Sequence, residues 1–237
     1  MSDEHAPREE AREEMDDYSG PFRPDFRLED LSKEALVKLC RELMLAAHLL
    51  DRAIMPAILQ RFGPKAMEEL AIEEWRGASP VYTQRIRKAM KIEGDDVPAI
   101  FKSLQLDPGF PHEYMDVHYE VVDEKRGYFW LNSCGALADV EPWGEERVRS
   151  MCHHIEDPTF DATAQAVNPK ARVRPVHRPP RDPKDRRPVC HWEVVIDDDA
   201  EPLEEAPITR IVRMSTAARF EFSPVRSSRK PAAAKEQ

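Results

Sequence analysis

The sequence predicts an α+β fold: a helical N-terminal half packed on a small antiparallel sheet of about four strands with an inserted helix, in the order β-β-α-β-β. Three observations predict it. Apolar residues recur at helical spacing through the first half of the chain. From Asp116 onward they alternate at the period of a strand. Two turn-rich tracts, Asp123–Gly127 and the proline-rich 178–188, separate what read as two strand pairs.

The elements follow in order. Residues 1–28 form an acidic tail expected to be disordered; positions 1–20 hold eight acids against two arginines. The domain is expected over residues 29–198, with a helical half at 29–107 and a sheet half at 112–198. Ser32 is placed to cap the first helix. Leu36, Leu39, Cys40, Leu43, Ala47 and Leu50 then form one apolar face, which makes Cys40 a packing residue. Pro56 should bend or divide this helix. A second helix is expected from Pro64, interrupted at Gly77 and Pro80, and a short one near Pro98–Leu106.

Strands are expected at Asp116–Val122 and Tyr128–Ser133, joined by a hairpin loop. A helix should run from Glu145 past Cys152, break at Pro158, and resume from Thr159 to Val167. Arg172–His177 and Cys190–Asp197 are the last two strands. The tract RPPRDPKDRRP between them, with four prolines and five basic residues, reads as an extended, solvated loop. Residues 199–237 read as a largely disordered tail with a short strand at Ile208–Met214.

Bulk properties exclude several classes. The chain of 237 residues carries a net charge of −10, and an acidic chain is a poor nucleic-acid binder because phosphate neutralisation needs a basic face. No apolar run approaches a membrane span, and the N-terminus lacks a basic-then-apolar leader, so a cytoplasmic, membrane-free protein is expected. In that compartment cysteines stay reduced. The motifs of nucleotide-binding loops, nucleophile elbows and paired-histidine zinc helices are missing. The apolar first helix can face a partner subunit as readily as a core, which leaves a homodimer open.

The chemistry-bearing residues concentrate in the second half. Cys134, Cys152, His177 and Cys190 all sit at or beside the end of an expected element. Thiolate and imidazole are donors that zinc prefers, with iron or manganese as alternatives. If the last two strands form a hairpin, His177 and Cys190 face each other across its mouth. His191 must point away from Cys190's face. His153, His154 and Glu193 are the candidates for general acid or base. Arg172 and Arg174 share a strand face that could hold a substrate carboxylate. Trp75, Tyr82, Phe129, Trp130 and Trp192 either line a cavity or simply form core.

The run from Asp30 to Asp197 resembles the bacterial L-2-amino-thiazoline-4-carboxylic acid hydrolase-like family. The likeness rests on LSKEALVKLCREL, AIEEWRGASPVYTQRIRKAMKI, WLNSC, MCHHIEDPTFDATAQAVNPKARV, RVRPVHRPP and VCHWEVVI, in that order. It selects the same four residues, with His177 standing where members carry cysteine. It implies a metal-dependent hydrolase acting on a small molecule, opening a C–N bond of a cyclic amidine or amide. The order of elements is also similar to 4-vinyl-reductase-type domains, which implies the alternative of a small-molecule-binding or sensory domain with a structural zinc.

Overall fold

A computed structural model describes residues 14–225. Residues 1–13 and 226–237, where the ends of both expected tails fall, lie outside the described residues. The chain divides into two compact units, residues 1–43 with 221–237, and residues 44–220.

In the first unit, Met15 pairs in parallel with Leu31, its amide donating to the Asp30 carbonyl at 2.8 Å. Tyr18 stacks on Phe26. Ser32 caps as expected, its hydroxyl accepting from the Ala35 amide at 3.3 Å.

Helix α1, Lys33–Met90, is broken at Gly63 (φ 85°, ψ 175°). That backbone conformation is essentially reserved for glycine, because a Cβ is strained there. The break thus falls at Gly63-Pro64, where proline fits the first turn of the renewed helix. Pro56, Gly77 and Pro80 do not interrupt it, contrary to expectation. At Pro80 the reason is visible. A proline cannot donate to the carbonyl four residues back, and the Thr209 hydroxyl donates to that Arg76 carbonyl instead, at 2.8 Å. The expected inward face of the helix is also corrected. Cys40 is exposed, and Leu43 and Leu50 are 59% and 70% exposed. Helical periodicity identifies an apolar stripe without saying what covers it.

The rest belongs to the second unit. Helix α2 (Val97–Leu104) starts at Asp96, whose side chain accepts from the Ala99 amide. A short α3 (His112–Met115) leads into β1 (Val117–Val121) and β2 (Arg126–Leu131). Then come α4 (Gly135–Val140) and α5 (Glu145–Arg149), a π-helical turn at Ser150–Ile155, and α6 (Glu156–Gln165). Strands β3 (Ala171–His177) and β4 (Cys190–Ile196) complete one antiparallel sheet in the order β1-β2-β4-β3. The α+β class and the β-β-α-β-β order are as the sequence predicts. The expected break at Pro158 does not occur; the helix continues through it, and the irregularity lies at the π turn. The segment expected as a strand at Ile208–Met214 is instead helix α7 (Pro207–Arg213), followed by α8 (Thr216–Arg219).

Alternation sorts the sheet into two faces. Phe129 and Leu131 of β2, Cys190, Trp192, Val194 and Ile196 of β4, and Ala171 and Val173 of β3 point inward onto α2 and α6. Phe129 stacks there on Trp192, Phe160 packs at a tilt against both, and Phe110 meets Phe129 edge-on. Gly127 permits a close approach to the sheet: a Cβ there would lie 2.7 Å from the Phe101 ring. No helix among the described residues is long and apolar enough to cross a membrane.

Candidate functional site

Inside the second unit lies a cavity of about 730 Å³, within the range of roughly 300–1,000 Å³ that holds drug-sized ligands. Its walls are mostly apolar, with Met55, Met67, Met115 and Met151 beside Trp75, Phe110, Phe160 and Trp192. Its polar lining includes Tyr82, Asp107 and Arg147 and a further group drawn from several elements. His48, Asp51 and Arg52 come from α1, spaced three and four residues apart so that they share a helix face. Asp139 comes from α4, Cys134 caps that helix, Cys152 lies in the π turn, Glu156 starts α6, and Cys190 starts β4.

Three of the four expected metal donors therefore meet at one cavity. Cys134 Sγ also accepts from the Leu137 amide at 3.4 Å, which fixes its direction. His177 does not join them. It pairs with His191 across the β3–β4 ladder after a bulge, with the two rings 6.0 Å apart on the face opposite to Cys190. The side-chain alternation of β4 that separates Cys190 from His191 also separates Cys190 from His177. Among the described residues no group of three or more His, Cys, Asp or Glu could hold a metal ion. The expected four-donor set does not fit a tetrahedral zinc, and no step below runs through a metal.

The other expected site residues are engaged elsewhere. His153 meets the Pro179 carbonyl at 2.6 Å, and His154 meets Glu68 at 3.0 Å; neither lines the cavity. Glu193 lies on the outer face, accepting from the Tyr128 hydroxyl. Arg172 donates to the carbonyls of Pro169, Ala171 and Glu201, and Arg174 pairs with Asp161 at 3.1 Å. Both arginines therefore tie strand β3 to its flanking segments. Trp75, Tyr82 and Trp192 do line the cavity, whereas Phe129 is core and Trp130 stacks on His118. The proline-rich loop is exposed over 182–187, as expected, but its two ends are packed. Pro179 and Val189 close part of the cavity, Arg178 pairs with Asp157, and Arg181 pairs with Glu141 at 2.5 Å.

Burial sets the electrostatics. It pushes the Cys134 thiol up to about 11 and pushes Cys152 and Cys190 up further, so all three are neutral thiols at physiological pH. Glu156 stands among them, and burial lifts its carboxyl to about 7, with Arg52 pulling the other way. No hydrogen bond to the Glu156 carboxyl exists among the described residues. Asp107 is lifted by burial to about 6, but it accepts from the Tyr82 hydroxyl and the Gly109 amide, both at 2.7 Å. Arg52 donates to Asp139 at 2.6 Å and also pairs with Asp51, whose carboxyl burial raises. His48 is only 6% exposed, and burial lowers its pKa against a hydrogen bond to the Gly109 backbone that raises it.

Sequence reasoning missed Glu156, His48, Asp51, Arg52 and Asp139. A signal existed for two pairs: Glu156 is one helical turn after Cys152, and His48 is one turn before Arg52 within an apolar stretch. The chemistry available on this wall is proton transfer by Glu156 within electrostatic reach of the Arg52 guanidinium, in a mostly apolar pocket. No family model, no curated protein and no solved structure matches the chain.

Proposed function

We propose that this protein processes a mostly apolar small molecule in the cavity by hydrolysing a C–N bond of amide or cyclic-amidine type, with Glu156 as general acid and base. The observation that supports this is the unpartnered Glu156 carboxyl on the cavity wall, lifted to about 7 by burial. A group poised near the working pH is available in both protonation states, which general acid–base catalysis needs. As carboxylate, Glu156 takes a proton from water while the water oxygen bonds to the acyl or amidine carbon. As acid, it returns that proton to the departing nitrogen when the C–N bond breaks. The Arg52 guanidinium, within electrostatic reach of Glu156, stabilises negative charge that develops in between. The neutral thiols are poor nucleophiles and shape the wall.

The same thiols support a second reading, a non-catalytic binding or sensory domain. A wall of neutral thiols and apolar rings can hold a ligand without changing it. A panel of amides and cyclic amidines, assayed for amine release by wild type and by Glu156→Gln, separates the two. Hydrolysis is expected only in wild type, with a rate that rises through an apparent pKa near 7. Turnover that persists unchanged in Glu156→Gln would sink the catalytic assignment. Binding without turnover in both proteins would establish the sensory one.

A further inference from the structure

The polar wall is short of positive charge. Asp51, Asp107, Asp139 and Glu156 line the cavity against Arg52 and Arg147; Arg52 is shared by Asp51 and Asp139, and Arg147 donates to the Met67 sulfur at 3.6 Å. Glu156 is thus the carboxylate left over, with no donor from the protein. An isolated buried carboxylate costs several kcal/mol unless something supplies a partner. The wall therefore presents one unused acceptor, the Glu156 carboxyl, and more carboxylates than arginines. The remaining lining is apolar and rich in aromatic rings, whose faces attract cations.

We propose that the cavity takes a ligand carrying a protonated amine on an apolar body, with the amine directed at Glu156 and the body against Trp75, Phe110, Phe160 and Trp192. An anionic ligand would face four carboxylates against two arginines, of which Arg52 is already held by Asp51 and Asp139. A neutral ligand would leave the surplus charge unmatched. An ammonium group brings three N–H donors to the Glu156 carboxyl, which has none from the protein. The volume of about 730 Å³ leaves room for an apolar body well beyond the amine. This inference rests on the cavity being a small-molecule site and names the class of molecule.

The test is calorimetric titration of the full chain at about pH 8, where a carboxyl titrating near 7 is mostly ionised. Three probes share one apolar body: naphthylmethylamine, naphthylmethanol and naphthoate. A charge-assisted hydrogen bond predicts that the amine binds at least roughly tenfold more tightly than the alcohol. In Glu156→Gln the amine should fall to the affinity of the alcohol while the alcohol is unchanged, which also shows that the variant is folded. Naphthoate binding tightest, equal affinities for all three, or an amine preference that survives Glu156→Gln overturns this inference and leaves the small-molecule site standing. Failure of all three probes and of the apolar dye Nile red to bind wild type overturns the proposed function along with it.

Discussion

Unfolded, the Glu156 carboxyl has its ordinary value of 4.5; folded, burial holds it at about 7. Between those values the native state binds more protons than the unfolded state, so stability falls as pH rises through the window. The contribution lost by about pH 8 is up to roughly 3 kcal/mol. Glu156→Gln cannot lose it. Urea denaturation should therefore find the variant more stable than wild type at about pH 8, with the advantage shrinking as pH falls toward the unfolded value. An advantage that is the same at both ends would mean that Glu156 is not held in its protonated form by burial. Single residues also mark where the sequence was legible. Cys134, Cys152 and Cys190 stood out because reduced cysteine is scarce and sat at element margins, and they do share a cavity. His177 was misplaced because the bulge between Pro175 and His177 sets which residue faces His191, and a bulge leaves no mark in residue types. Glu156 was passed over because a glutamate at the start of a helix is ordinary on a surface, and only packing makes it unusual.

At the scale of elements, the four strands of the sheet were read within a residue or two, since side-chain alternation is a local pattern, whereas the strand expected at Ile208–Met214 is helix α7. Helix interruptions were not. Pro56, Pro80 and Pro158 all lie within helical runs, because neighbouring segments can satisfy what a proline leaves open. The Pro80 case is measurable. Thr209 is fully buried and its hydroxyl serves the Arg76 carbonyl that Pro80 cannot. Thr209→Val keeps the shape and removes the donor, which should cost about 1–3 kcal/mol by urea denaturation. In a Pro80→Ala background the restored backbone amide can reach the same carbonyl, so the Thr209→Val penalty should shrink markedly. An equal penalty in both backgrounds would show that Thr209 is held for its packing alone. The break at Gly63, by contrast, was legible in retrospect as Gly-Pro, a stop followed by a helix start.

Across the 44–220 unit, the cavity explains why fold class was readable and the site was not. Its lining comes from α1, α2, α3, β2, α4, α5, the π turn, α6, β4 and the proline-rich loop, so the site exists only once all of these have packed. Periodicity reports one element at a time and carries no information on which gaps between elements stay open. An open apolar volume of this size forfeits van der Waals contact that a packed core would make, and natural chains keep such losses where function requires them. Ala71 tests that trade. It is buried on the cavity wall beside Met55, Met67 and Ile155, where a larger side chain has space to extend inward. Ala71→Leu should raise stability by about 0.5–2 kcal/mol, as cavity-filling substitutions do, read as a higher thermal midpoint. The same variant should bind Nile red and naphthylmethylamine several-fold more weakly, because the added carbons occupy ligand volume. A variant that is destabilised, or that binds both probes as wild type does, would show that the volume beside Ala71 is not the space a ligand fills. Stability gained together with binding lost would mean that the open space is kept for the ligand at the expense of the fold.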